Sequence, residues 1–270
     1  CIRDRAGDDK AAGDLIVSAG ARLGAAEMAL MAATGISEVQ LRAPLRVAVI
    51  STGSELVEAG DAAGDGQIFD ANRPMLLSMA RSFGHAPVDM GRIVDDRDKL
   101  ADTFDRAAEA ADVILTSGGA SAGDEDHVSA LLTEAGAMNL WRVAVKPGRP
   151  LALGMCRGKP VFGLPGNPVA AMVCALIFAR PALAVLAGET WPEPQGYMVP
   201  AAFSKNKKDG RSEFLRARIR EEQVEVFASE GSGRISGLSW AEGLVELPPG
   251  AVKISPGVPV RFIPFCSFGL

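Results

Sequence analysis

Through residues 44–190, strand-length apolar runs alternate with apolar positions at helical spacing, and the alternation predicts the fold class. Residues 45–50, apolar but for Arg46, read as a strand that ends at Ser51-Thr52-Gly53. A helical pattern over 72–83 closes at Gly84, with Asn72 expected as its cap. Residues 88–94 and 112–116 read as strands flanking a helix over 97–110, which Asp96 or Asp98 would cap. A helix ending at Gly136 and strands over 140–145, 151–155 and 161–162 follow. Next comes an apolar stretch, 169–187, interrupted by Arg180-Pro181, which predicts a kinked, buried helix rather than a membrane span. Strands alternating with helices predict an α/β fold: a three-layer, mostly parallel sheet with helices on both faces.

The pattern changes at Pro192, Pro194 and Pro200. Short strand-like runs over 214–219, 223–228, 243–247 and 258–262, with turns at 248–250 and 255–257, predict a small all-β C-terminal domain, a barrel or sandwich. Before residue 44 only one helix is expected, over 25–34, with Gly35 at its end. The expected division is 1–43, the remainder of a larger N-terminal domain; 44–190, an α/β domain; and 191–270, a β-barrel-like domain. The opening Cys1-Ile2-Arg3, without an initiator Met, reads as a piece of a longer chain.

Composition narrows the function classes. The 270 residues are 48% hydrophobic and 23% charged, ample for a core. A net charge of -5 argues against a general nucleic-acid binder. No cysteine pair among positions 1, 156, 174 and 266 has metal or redox spacing, which fits a reducing cytoplasm, and the interruption at Arg180-Pro181 argues against a membrane partner. Of the two histidines, His85 is expected at the surface beside a turn, and His127 sits next to an acidic turn.

Ligands of such sheets collect at the carboxyl ends of strands. The turns at 51–55, 117–126 and 163–168 all follow predicted strands, so they could meet on one rim. The second, Ser117-Gly118-Gly119-Ala120-Ser121-Ala122-Gly123-Asp124-Glu125-Asp126, carries the clearest chemistry. Glycines let backbone amides approach an anion, and a following helix start adds positive charge. The acidic residues after it call for a divalent cation, or for a carboxylate that handles water. Thr52, Gly53 and Glu55 could hold polar substituents, although a solvated Glu55 in an ordinary turn explains the same residues. Asp95, nearest its strand end, is the better metal candidate of the Asp95-Asp96 pair. Arg142 and Lys146, four apart on one expected strand, would share a face and suit an oxyanion or phosphates. Pro165-Gly166-Asn167-Pro168 is a firm helix start and a rigid loop whose exposed amides suit a small anion.

The ordered set resembles the MoeA family of molybdopterin molybdotransferases, which includes the gephyrin E domain. It runs Ser51-Thr52-Gly53-Ser54-Glu55-Leu56, residues 64–72, Asp95-Asp96, 117–126, Trp141 to Pro150, and Gly163-Leu164-Pro165-Gly166-Asn167-Pro168. The resemblance covers nearly the whole chain. It implies insertion of molybdate into adenylylated molybdopterin with loss of AMP, aided by Mg2+, in a cytoplasmic homodimer. By motif, Asp95 and Asp126 would hold the metal and act catalytically. Thr52, Glu55, Ser117, Gly118, Gly119, Ser121, Gly123, Arg142, Lys146, Pro165, Gly166, Asn167, Pro168 and Asp9 would contact the pterin nucleotide. Lys146, Arg216 and Ser232 would reach the molybdate. The chain departs from the family at Arg142, where Lys is common, and at Ala170, where Ser is common. It also has nothing before Cys1 to match the family's long N-terminal part, which brings an acidic residue from the partner subunit. The related molybdopterin adenylyltransferase and a non-catalytic carrier are the alternative readings.

Overall fold

The computed structural model describes residues 9–118, 127–134, 138–148, 150–229, 231 and 233–270. In chain order the first elements are α1 (Ala25–Ala33), β1 (Arg46–Thr52), β2 (Leu56–Val57), β3 (Ile68–Phe69), α2 (Asn72–Ser82), β4 (Ala86–Ile93), α3 (Arg97–Ala110), β5 (Val113–Ser117) and α4 (His127–Glu134). Strands β6 (Met138–Arg142), β7 (Val145–Lys146), β8 (Pro150–Cys156) and β9 (Lys159–Leu164) follow, then α5 (Pro168–Cys174) and α6 (Arg180–Leu186). The C-terminal part holds β10 (Tyr197–Pro200), β11 (Lys205–Lys207), β12 (Ser212–Arg220), β13 (Gln223–Val226), α7 (Ser236–Trp240), β14 (Gly243–Leu247), β15 (Val252–Ile254) and β16 (Pro259–Pro264).

The main sheet runs β4-β1-β5-β9-β8-β6, parallel from β4 to β9 and antiparallel at β8 and β6. Strand alternation explains its two covered faces. Val47, Val49, Val113 and Leu115 pack against Leu76 of α2, Val173 of α5 and Leu183 of α6. Ala48, Ile50 and Ile114 pack against Leu100 and Phe104 of α3 and Val128 and Leu132 of α4. Each fully buried aliphatic side chain of this kind contributes about 1.5–3 kcal/mol. Helix α3 starts where Asp96 accepts from the amides of Asp98 (3.1 Å) and Lys99 (3.0 Å). The apolar stretch 168–186 is one helical run in which a π-helical turn, Ala175–Ala179, precedes Pro181. The wider turn accommodates the proline that was expected to kink it. By length and composition this run could cross a membrane, but 67% of its most apolar window is buried.

At the opposite end of the sheet from the loops described below, Asp112 clamps Arg46. Its carboxylate accepts from the Arg46 amide (2.9 Å) and guanidinium (2.9 Å), with Lys159 at 3.7 Å. The Arg46 side-chain hydrogen bond is the main reason its pKa falls from 3.8 to about 2. A depressed carboxylate stabilises the fold above its unfolded pKa and loses that contribution as pH falls through the folded value. The group is partly exposed, so the contribution at neutral pH is about 1 kcal/mol. Asp112→Asn should lower the urea-derived stability at pH 7 by about this amount and flatten its loss below about pH 4. Equal acid sensitivity in the two proteins would remove Asp112 from the stability profile.

The C-terminal sheet is antiparallel, ordered β10-β16-β14-β12-β13. A bridge between Ala201 and Val224 draws its outer strands together, closing it into a barrel around Val199, Val245, Leu247 and Phe262. Lys207 is buried and donates to the carbonyls of Lys208, Pro249 and Gly250 at 3.1, 2.8 and 2.8 Å, tying β11 to the 248–250 turn.

Two expectations are corrected. The strand expected over 140–145 is divided. β6 ends at Arg142 beside β8, whereas β7 joins the other sheet, pairing Val145 with Ser212 and Lys146 with Glu213. The Ser212 amide donates to the Ala144 carbonyl (2.9 Å) and draws the chain out of the main sheet, so Arg142 and Lys146 do not share a strand face. His85 is buried rather than exposed, and burial pushes its pKa down.

Candidate active site

The loops that follow β1, β4, β5 and β9 meet at the carboxyl ends of those strands. Gly118 lies against the end of β1 with φ +93°; a Cβ there would overlap the Thr52 carbonyl and sit 2.8 Å from Thr52 Oγ1. The Gly118 amide donates to the Leu164 carbonyl (3.3 Å), so this donor is used within the fold. Gly166 reaches the same point, where a Cβ would stand 3.6 Å from the Gly118 Cα.

Asn72 joins these corners. Its Nδ2 donates to Ser117 Oγ (2.6 Å) and to the Gly166 carbonyl (2.6 Å). It is buried, and its Oδ1 has no hydrogen-bond partner among the described residues. The expected capping role is therefore wrong. Asn72 is the first residue of α2, its side chain is drawn across to β5 and β9, and Asp70 serves the helix start instead. Asp70 Oδ1 accepts from the Arg73 amide (3.1 Å) and from Ser51 Oγ (3.0 Å). The Arg73 guanidinium binds Asp70 (3.2 Å), Asp89 (2.6 Å) and Glu58. This network pins the 56–70 excursion and the start of α2 to the sheet. The run Asp70-x-Asn72-Arg73 was its available signal: with Asp70 able to cap, Asn72 was spare.

Asp95 follows β4 and is sewn to the β1 turn. Its Oδ2 accepts from the Ser54 amide (2.9 Å), and its own amide donates to Ser54 Oγ (3.0 Å). Glu55 is exposed, and its carboxylate lies over Gly53, where a Cβ would meet Oε2 at 2.7 Å. Among the described residues no three His, Cys, Asp or Glu side chains gather as a metal centre.

The Pro165–Pro168 loop leads from this rim to a second space. Pro165 is buried and Pro168 opens α5. Asn167 caps α5: its Oδ1 accepts from the amides of Val169 (3.1 Å) and Ala170 (3.3 Å), and its carbonyl accepts from the Ala171 amide. Beyond the loop, a cavity of about 370 Å³ lies between the start of α5 and the strands of the C-terminal sheet. Its walls include Lys146, Lys205, Arg211, Arg216, Ala170 and Ser229. Arg216 is 5% exposed and holds one wall, donating to the carbonyls of Arg234 (2.5 Å), Ser229 (2.6 Å) and Gly231 (3.2 Å). It also stacks over Phe227 at 4.8 Å. Burial lowers its pKa, yet an arginine keeps its charge. Gly148 backs the cavity, its carbonyl accepting from Cys174 Sγ (3.5 Å).

The structure thus brings together Thr52, Glu55, Asp95, Ser117, Gly118 and Gly166 at the rim, and Lys146 and Arg216 at the cavity, with Pro165, Asn167 and Pro168 between them. Asp9 is exposed on the N-terminal segment, with no bond to a described rim residue. Gly119, Ser121, Gly123, Asp126, Ser232 and the Arg142 side chain lie outside the described residues.

The sheet rim built from post-strand loops, and the cavity with its lysines and arginines beside the small barrel, are the two parts of the candidate site. Residues 48–185 match the probable molybdopterin binding domain, and residues 198–265 match the MoeA C-terminal region, domain IV. The chain is 34% identical to the molybdopterin molybdenumtransferase of Haemophilus influenzae, over 97% of this chain and 66% of that protein. It is also 34% identical to molybdopterin molybdenumtransferase 2 of Mycobacterium tuberculosis, over 95% of this chain and 65% of the relative. The crystal structure of the molybdopterin biosynthesis MoeA protein from Pyrococcus horikosii superposes with a TM-score of 0.79 at 31% identity, covering 93% of this chain and 62% of that one. The chain belongs to the MoeA family. It spans about two thirds of the length of these curated relatives.

Proposed function

We propose that this protein performs the molybdate-insertion step of molybdenum cofactor biosynthesis, transferring molybdenum to adenylylated molybdopterin with release of AMP. The observation that carries this reading is the Pro165–Pro168 loop, which has Gly166 at the rim and leads directly to Val169 and Ala170 in the wall of the basic cavity. At the rim, Ser117 Oγ accepts from Asn72, which leaves the Ser117 hydroxyl proton to donate to a phosphate oxygen. Gly118 and Gly166, without side chains, let the diphosphate approach the backbone. In the cavity, Lys146, Lys205 and the Arg216-held wall balance a dianionic oxyanion. Orientation and charge balance are the chain's contributions, and no covalent intermediate on the protein is needed.

Magnesium takes one or two carboxylates plus substrate phosphates rather than a full protein cage. Asp95, fixed by one oxygen at the rim, fits as one such ligand, and Asp126 would be the second. The ion would offset charge on the diphosphate as AMP leaves. We place the working protein in the cytoplasm as a homodimer. The exposed Leu15, Met28 and Leu41 of the N-terminal segment support a second body packed there.

The test is AMP release from adenylylated molybdopterin with magnesium as molybdate is titrated. Release should require molybdate, and Lys146→Ala should raise the half-saturating molybdate concentration roughly tenfold. Molybdate-independent release would contradict the reading, and ATP-dependent nucleotide formation would indicate an adenylyltransferase instead.

A further inference from the structure

Glu213 has a part in the cavity that no motif assigns. It sits on β12 directly opposite Lys146 of β7 in the parallel pairing that joins the two sheets. Its Oε1 lies 3.5 Å from Lys146 Nζ, and its Oε2 lies 3.1 Å from Lys205 Nζ. The Glu213 and Lys205 side chains are 13% and 10% exposed, so solvent screens this pair weakly. Both lysines line the cavity, together with Arg211 and Arg216. One carboxylate therefore bridges two cations that face the same space. The β7–β12 junction does not need it, because the Ser212 amide and Ala144 carbonyl already make the backbone bond there.

We propose that Glu213 is the internal counter-ion of the cavity, holding Lys146 and Lys205 and setting the threshold that an oxyanion must exceed to bind. The inference rests on the reading of this cavity as the oxyanion site. In the empty cavity the carboxylate offsets charge among the cations. An incoming anion competes with it for the same two ammonium groups. A dianion outweighs a single carboxylate in that competition, and a monoanion does not. Glu213 thus lowers absolute affinity while raising discrimination for doubly charged, tetrahedral oxyanions over chloride.

Isothermal titration of the 270-residue chain with sodium molybdate, at fixed ionic strength with and without added chloride, tests this. Glu213→Gln should bind molybdate roughly tenfold more tightly than the wild type and should become more sensitive to chloride competition. The double variant Glu213→Gln/Lys205→Gln, which restores the charge balance, should return close to wild-type affinity. A carboxylate with a purely structural role would give unchanged or weaker binding in Glu213→Gln with a lower melting temperature, and that result overturns the inference. Should Glu213→Gln fail to fold, Lys205→Gln alone decides: weakened molybdate binding supports the arrangement, and unchanged binding overturns it. Absence of molybdate binding by both wild type and Glu213→Gln would instead defeat the reading of the cavity itself.

Discussion

Asn72→Ala is expected to lower the rate of AMP release by about a hundredfold or more, with a smaller loss of stability of about 1–3 kcal/mol. The stability part follows from two bonds removed at once: Ser117 Oγ and the Gly166 carbonyl each lose a donor at 2.6 Å. The larger kinetic part follows from what those bonds fix. They register the β5 turn against the β9 loop, and a ligand spanning both would lose its orientation when they separate. Asn72→Asp should be worse for nucleotide binding than Asn72→Ala, because a carboxylate would face the Ser117 oxygen, the Gly166 carbonyl and the incoming phosphate together. Steady-state kinetics with a urea melt on each variant separates the two parts. If both variants lose stability but keep wild-type kcat and KM, Asn72 is structural only.

Gly118→Ala should destabilise the protein by about 3 kcal/mol and also abolish turnover. The residue sits at φ +93°, where an L side chain is strained, and its Cβ would strike the Thr52 carbonyl. The obstacle is backbone, so no change of the Thr52 side chain relieves it. Thr52→Ala/Gly118→Ala should therefore be no more stable than Gly118→Ala alone. Recovery in the double variant would show that Thr52 Oγ1, rather than the carbonyl, limits the approach. Chemical denaturation of the three proteins measures this.

Much of the fold was legible because its elements carry local signals. The Asp96 cap and the apolar spacing of Leu100, Phe104 and Ala107 mark α3, and the unbroken apolar run from Val47 to Ile50 marks β1 as a strand buried on both faces. The break between β6 and β7 was not legible. Its cause is a bond from Ser212, whose partner carbonyl at Ala144 is far away in sequence. The convergence of the post-strand turns could be expected from the topology of a parallel sheet. The residues that lock them could not, since Asn72 looks like an ordinary cap until Ser117 and Gly166 are seen beside it. Asp70 and Arg73 are hidden for the same reason, with Ser51, Glu58 and Asp89 as partners brought in by folding. Arg216 was read as reaching an oxyanion; three of its five N–H donors go to the carbonyls of Ser229, Gly231 and Arg234, contacts brought in by folding that the sequence does not signal. Glu213 escaped notice because an acidic residue among the charged positions of a strand looks like solvated surface.

The most direct test of a single site spanning rim and cavity is anomalous diffraction at the molybdenum edge from crystals grown with molybdate and AMP. The expected result is a molybdenum peak in the cavity beside Lys146 and Lys205, with the AMP phosphate against Ser117 on the other side of the Pro165–Pro168 loop. A molybdenum peak or nucleotide bound elsewhere, on opposite ends of the sheet or in separate hollows, would contradict it.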